Sequence, residues 1–178
     1  MSIPSEPRPV KLIIGLFLKE IGLIESVSGQ LSEKFGNVDI ISSWFSFDFT
    51  DYYAPEMGSP LFRRLLVFKK LIRQDSLVEI KLFTNELEKN YTRFEKRKIN
   101  IDPGYLSHER FVLATGKNYT HRIYLGQGIF ADLTLIYTRG SFQALPWTYP
   151  DYKDPRILEF LEKVRRKYII DLKQYNSK

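Results

Sequence analysis

Four short stretches of this chain combine carboxylates or a cation with tyrosine or tryptophan. They are Asp51-Tyr52-Tyr53-Ala54-Pro55-Glu56, Asn100-Ile101-Asp102-Pro103-Gly104-Tyr105, His121-Arg122-Ile123-Tyr124 and Trp147-Thr148-Tyr149-Pro150-Asp151-Tyr152. Three of the four contain proline, and side chains that build a site collect on loops held by a rigid scaffold. In such a site Arg122 would hold a phosphate or carboxylate in bidentate fashion, with Lys81 as a second cation. Asp51, Glu56 and Glu88 would serve as acid–base or metal-binding groups. His121, one of only two histidines, would carry the proton, because imidazole titrates near neutral pH. Tyr53, Tyr105, Tyr124 and Trp147 would wall the site, with Asn85 and Asp151 as polar lining.

Each of these residues also has a structural reading. Arg122 and Asp132 fall opposite each other on a hairpin and would neutralise one another there. Lys81, Asn85 and Glu88 share a helix flank, which is ordinarily a solvated face. The aromatic residues between Leu145 and Tyr152 would act as a hydrophobic lid as readily as a stacking surface for a base. Among the acidic residues Asp48, Asp51, Glu56, Glu88, Asp102 and Asp132, a convergence of two or three would suit magnesium, which prefers oxygen ligands. No compact Asp-x-Asp motif singles out such a set.

The elements that must position these residues follow from hydrophobic periodicity. Lys11–Phe17 is a continuous apolar run, as in a strand buried on both faces. Glu20–Phe35 reads as a helix closed by Gly36-Asn37. Ile40–Thr50 alternates, with Phe45, Phe47 and Phe49 on one side, and Phe62–Lys70 alternates again. Ser76 and Glu79 have capping-box spacing at the start of a helix whose stripe is Leu77, Ile80, Phe83, Leu87, Tyr91 and Phe94. Arg97–Ile101 predicts a short strand stopped by a type II turn at Asp102-Pro103-Gly104-Tyr105. His108 is expected at a surface helix start, and residues 106–118 suit either a short helix or a strand. Thr120–Leu125 and Ile129–Thr138 form a hairpin about Gly126-Gln127-Gly128, pairing Arg122 with Asp132 and Tyr124 with Phe130. Asp154-Pro155 opens a last helix with Leu158, Leu161, Val164, Tyr168 and Leu172 inward.

This order predicts one α+β domain spanning 1–178, with residues 1–10 as an N-terminal arm. The expected plan is a ferredoxin-like split βαβ (βαββαβ) antiparallel sheet with helices on one face, extended by a β-hairpin and a C-terminal helix. The 178 residues suffice for a single core, and 13 Phe and 11 Tyr favour a sheet-containing fold. The absence of cysteine excludes disulfides, thiolate nucleophiles and Cys-ligated metal centres. The N-terminal residues lack the apolar core of a signal peptide, and no apolar run spans a bilayer, so a cytoplasmic protein without membrane contact is expected. The charge of +6 favours an anionic partner, although much of the excess lies in the last helix. Walker-type, dinucleotide, zincin and nucleophile-elbow motifs are all missing.

Six blocks resemble an uncharacterised prokaryotic family, the domain of unknown function 4416: residues 9–17, 49–58, 80–88, 100–105, 121–126 and 145–152. The resemblance implies no established activity and no assigned catalytic residues. The residues themselves lead to an anionic small molecule, a nucleotide or phosphorylated metabolite, held with or without catalysis. Two alternatives stand beside it. One is an RNA-binding module using a Lys/Arg stripe through Arg63, Arg64 and the last helix. The other is a non-catalytic interaction protein with a large exposed apolar patch.

Overall fold

In the computed structural model, which describes residues 1–50, 53–94 and 96–176, the apolar run becomes the central strand β1 (Val10–Leu18), every residue of which is buried. A short 3-10 turn then leads into α1 (Ile24–Phe35), which ends at Gly36 with φ 89°. The alternating stretch after it is two strands rather than one, β2 (Val38–Ile41) and β3 (Phe45–Phe47). Ser42 causes the break. Its hydroxyl accepts the Leu65 N–H at 2.9 Å, replacing a backbone partner, and regular pairing resumes only at Phe45. A single turn, α2 (Ala54–Met57), precedes the long strand β4 (Leu61–Ile72).

The second long helix is α3 (Leu77–Asn90), entered through a 3-10 turn; Ser76 makes no side-chain capping bond, so the expected capping box does not form. A two-stranded hairpin, β5 (Thr92–Arg93) and β6 (Lys96–Arg97), follows. Then β7 (Ile99–Leu106) runs straight through Asp102-Pro103-Gly104, where the sequence predicts a turn. Glycine here answers close packing rather than chain reversal: a Cβ on Gly104 would lie 2.4 Å from the Val112 carbonyl oxygen. Residues 106–118 resolve as a tight connection, containing His108, into β8 (Arg110–Thr115). The hairpin β9 (Arg122–Gly126) and β10 (Ile129–Thr138) has the expected register, Arg122 opposite Asp132 and Tyr124 opposite Phe130. Last come β11 (Ser141–Ala144) and α4 (Pro155–Asn176), where Asp154 Oδ1 accepts the Arg156 N–H at 2.8 Å as an N-cap.

Nine strands form one sheet in the order β11-β10-β8-β7-β1-β4-β2, with β3 beside β4 and β9 beside β10, and all pairings are antiparallel. Alternation along β1 assigns the two faces. Leu12, Ile14, Leu16 and Leu18 pack against α1 and α3, through Val27, Leu31, Ile80 and Leu87. Ile13 and its neighbours pack against α4, through Ile157, Leu161, Val164, Tyr168 and Leu172. The last helix therefore covers the face opposite the other two. Its far end is tied to the start of β1 by the buried Lys11 ammonium, 3.0 Å from Asp39 and 2.5 Å from Asp171. Among the described residues no helix is long and apolar enough to cross a membrane.

Substitution of Gly104 by alanine drives a methyl group into the β8 backbone. It is expected to lower the unfolding free energy by at least about 2 kcal/mol, read by urea denaturation, whereas alanine at Gly116, where nothing lies within 4 Å, leaves stability nearly unchanged.

Candidate functional site

The site begins with a split in the sheet. Strands β7 and β8 pair only at Gly104–Leu106 against Phe111–Leu113; beyond this the two diverge, and Ile99–Pro103 keep a strand partner only on the β1 side. An unpaired edge inside a protein must find other partners for its backbone groups. Here α3 provides them. Glu88 Oε1 accepts the Ile101 N–H at 2.6 Å, and Lys81 Nζ donates to the Ile101 carbonyl at 3.0 Å. The two side chains stand about two helical turns apart on one flank of α3 and reach the same residue from either side. By alternation Pro103, which has no N–H, faces the split too and adds no unmet donor.

The split opens onto the α4 face of the sheet, at the end that α4 leaves uncovered, as a cleft of about 780 Å³. Its polar wall is a continuous chain of charges. Arg97 donates to both Glu56 oxygens at 2.6 and 2.8 Å, to Glu88 Oε2 at 3.1 Å and to Asn100 Oδ1 at 2.8 Å. Asn100 in turn donates to Asp102 at 2.7 Å, and Asp102 lies 3.6 Å from Lys81 Nζ. The Arg97 hydrogen bonds hold Glu56 below the usual carboxylate range, and the Glu56 bonds in turn raise the Arg97 pKa. Glu88 moves the other way. Burial pushes its pKa up and outweighs the attraction of Lys81, the Ile101 N–H and Arg97.

The facing wall is aromatic and is built around Arg63. This residue pairs with Phe17 across β4 and β1, and its guanidinium lies between two rings, 4.3 Å from the Phe17 centroid and 4.0 Å from that of Tyr152. It forms an ion pair with Asp151 and donates to the Tyr152 hydroxyl. Burial pushes the Tyr152 phenol up to about 12, so it remains protonated near neutrality. Gly15 makes room for the group: a Cβ there would lie 3.0 Å from Arg63 Nη2 and 3.4 Å from the Tyr152 hydroxyl. Phe47, Phe49 and Tyr53 continue the wall, with Tyr53 stacked on Phe17 at 5.9 Å.

The proline-bounded segment 145–152 closes one side and is packed throughout. Trp147 Nε1 donates to the Leu133 carbonyl at 2.8 Å while its ring stacks on His121 at 4.9 Å. Thr148 donates to the Thr134 carbonyl, and Arg122 donates to the Tyr149 hydroxyl at 2.5 Å. Behind this segment the buried Asp132 holds His121 Nε2 at 3.2 Å and Arg122 Nε at 2.9 Å.

Of the residues singled out in the sequence, Lys81, Asn85, Glu88, Tyr53 and Asp151 line the cleft. Glu56 belongs to a neighbouring hollow and reaches the cleft through Arg97. Arg122 and His121 stand behind the wall, where they position Tyr149 and Trp147. All three of Arg122's nitrogens are occupied, by Asp132, the Lys117 carbonyl and Tyr149. Trp147 packs on that cluster, Tyr124 is exposed on the hairpin, and Tyr105 is buried on the α3 face. Asp51 lies outside the described residues. Among the described residues no group of three or more His, Asp or Glu is placed to hold a metal ion. Arg63 is 1% exposed, so it joins no surface stripe, and Arg64 lies 4.7 Å over the Trp44 ring.

Nothing in the sequence marks Arg97 or the site role of Arg63, and Asn100 and Tyr152 fall within the candidate stretches without an assigned role. The one usable signal was the alternation of Asn100, Asp102 and Gly104 on a strand face, which the Pro-Gly pair disguised as a turn.

A sequence profile described as Domain of unknown function (DUF4416) matches residues 8–168. The chain belongs to that family. No curated protein and no solved structure matches it. The matched span of this DUF4416 member contains every residue lining the cleft, from Phe17 to Tyr152. A family without an assigned function supplies no catalytic residues, so the chemistry rests on the geometry above.

The raised pKa of Glu88 has a defined effect on stability. A folded state that holds this proton more tightly than the unfolded chain is favoured at low pH. That contribution is lost as pH rises from the ordinary value of 4.5 through the higher folded-state pKa. Glu88→Gln removes the titration. The unfolding free energy of wild type minus that of Glu88→Gln should therefore fall as pH increases from 4.5 toward neutrality, measured by denaturant melts at matched salt; a difference that rises with pH would contradict the assignment.

Proposed function

We propose that this protein binds an anionic small molecule with an aromatic part, a nucleotide or phosphorylated metabolite, in the split between β7 and β8. The observation that carries this reading is the spare hydrogen-bonding capacity at Lys81. Its ammonium has three donors, and among the described residues it makes one hydrogen bond, to the Ile101 carbonyl, with Asp102 in ion-pair contact at 3.6 Å but outside hydrogen-bond distance. Asn85, one turn farther along α3, also lines the cleft and makes no hydrogen bond through its side chain among the described residues. A cation and an amide with free donors, facing rings of Phe17, Phe47, Phe49 and Tyr53, suit a ligand with an anionic end and a flat apolar end.

Binding takes precedence over catalysis in this reading. Both oxygens of Glu88 are committed, one to the Ile101 N–H and one to Arg97, which makes it a positioning residue. His121 is likewise committed to Asp132 and Trp147. We assign the core β7-β1-β4-β2 to the ferredoxin-like split βαβ plan. Its strand order, its antiparallel pairings and the placement of α1 and α3 on one face support that assignment. In that plan the ligand lies where β8 extends the sheet and then leaves it.

A thermal-shift screen of nucleotides and phosphorylated metabolites tests the reading. A ligand at about 100 times its Kd adds ~2.7 kcal/mol, which for a domain of this size raises Tm by about 5–10 °C. The shift should shrink in Asn85→Ala, whose unliganded Tm is expected to match wild type. A flat screen, or a shift that Asn85→Ala leaves intact, would overturn the proposal.

A further inference from the structure

A second hollow of about 530 Å³ lies on the other side of Arg97, at the foot of the β5–β6 hairpin, and it differs in character from the cleft. Among the described residues its lining contains Lys19, Arg93, Lys96, Arg97 and Lys98 against Glu20 and Glu56. Arg97 is neutralised by Glu56, and Lys98 by Glu20 at 2.7 Å. Lys19, Arg93 and Lys96 form no ion pair among the described residues, and all three are exposed. Glu20 attracts Lys19 and Arg93 as well as Lys98, yet five cations face two carboxylates among the described lining residues, and such an excess around a concave surface raises the local concentration of anions.

Phe94 stands at the rim of this hollow, at the tip of the hairpin. It is 97% exposed, and its backbone is left-handed with φ 50°. Phenylalanine gains nothing from either circumstance, since the left-handed region disfavours a bulky side chain and the ring contacts almost nothing. The hairpin beneath it is firmly based: Lys98 N–H donates to the Tyr91 carbonyl at 3.0 Å, and Thr92 Oγ1 donates to the Glu88 carbonyl at 3.1 Å. The ring is therefore presented beside these cations, on a hairpin whose base is tied to α3 and Tyr91.

We propose that this hollow binds single-stranded nucleic acid, with a base stacked on Phe94 and backbone phosphates held by Lys19, Arg93 and Lys96. An aromatic platform beside a positively charged groove is the chemistry that holds an unpaired strand without sequence preference. Concavity separates this partner from a lipid surface, because cations lining a hollow engage a strand that enters it, whereas a bilayer is flat. The site is independent of the ligand proposed for the cleft, which uses Lys81 and Asn85.

The test is fluorescence anisotropy of the full chain with labelled oligouridine and oligothymidine of roughly 12 nucleotides, within the range a single such site covers. A duplex of the same length and anionic phosphatidylserine vesicles serve as comparisons. Three phosphate contacts predict a log–log salt slope near −2, or about a 15-fold loss of affinity between roughly 50 and 200 mM salt. Phe94→Ala should weaken binding at least about 5-fold with the salt slope unchanged. The triple variant Lys19→Ala, Arg93→Ala, Lys96→Ala should weaken binding and flatten the slope. All four positions are exposed, so circular dichroism and Tm should match wild type. Preference for oligouridine or oligothymidine would decide between RNA and DNA. The proposal is overturned by absence of binding, by Phe94→Ala binding as wild type does, by an unaltered slope in the triple variant, or by Phe94-dependent binding to vesicles and not to oligonucleotides.

Discussion

The capping of Ile101 by two side chains of α3 is the interaction on which the rest of this architecture rests. A sheet that splits leaves backbone donors and acceptors facing no strand, and each one buried without a partner costs about 1–3 kcal/mol. Three outcomes are open to such an edge: it zips up against β8, admits water, or is paired from elsewhere. The sequence takes the third course, with one acceptor and one donor on a single flank of α3. That choice also fixes where α3 sits relative to β7. It leaves the space between β7 and β8 for a cleft instead of a continued ladder. Because Glu88 turns its second oxygen to Arg97, the same cap orients the guanidinium that tethers Glu56 and with it α2. Capping, cleft and α2 are thus one connected arrangement.

Ionic groups inside this protein occur in compensated sets, and the sets staple elements that no strand pairing joins. Arg63 ties β4 to the segment carrying Asp151 and Tyr152. Lys11 ties β1 to β2 and α4 through Asp39 and Asp171. Asp132 ties the hairpin to Tyr149 by way of Arg122. Buried pairs of this kind contribute little net stability compared with apolar replacements, yet removing one partner costs about 3–5 kcal/mol, because the other charge is then stranded. Their value here is positional. The Arg63 and Asp132 staples position walls of the cleft, the Lys11 staple fixes the opposite end of β1, and each is directional where hydrophobic contact is not. The contrast with the hollow beside the β5–β6 hairpin follows from this. There Lys19, Arg93 and Lys96 form no ion pair among the described residues, and the carboxylates of Glu20 and Glu56 are held by Lys98 and Arg97.

The sequence was most legible where one element settles a residue's direction by its own periodicity. The β9–β10 hairpin is such a case: two glycines around Gln127 fix the register, and the register alone opposes Arg122 to Asp132. Helical spacing likewise placed Lys81, Asn85 and Glu88 on one flank of α3, and all three reach the cleft. Legibility failed where local chemistry supports two answers and a distant element decides between them. Asp102-Pro103-Gly104 has the composition of a turn, but Gly104 is required by the approach of β8, and Pro103 is tolerated because the split leaves no acceptor needing its N–H. Arg63 is the sharper example. Nothing in Phe62-Arg63-Arg64 distinguishes the arginine sealed between two rings from its neighbour lying on Trp44. What distinguishes them is Gly15, far away in sequence, whose missing side chain is the space that Arg63 and Tyr152 occupy. A buried cation of this kind is specified by an absence on another strand, and a reading of one segment at a time has no access to it.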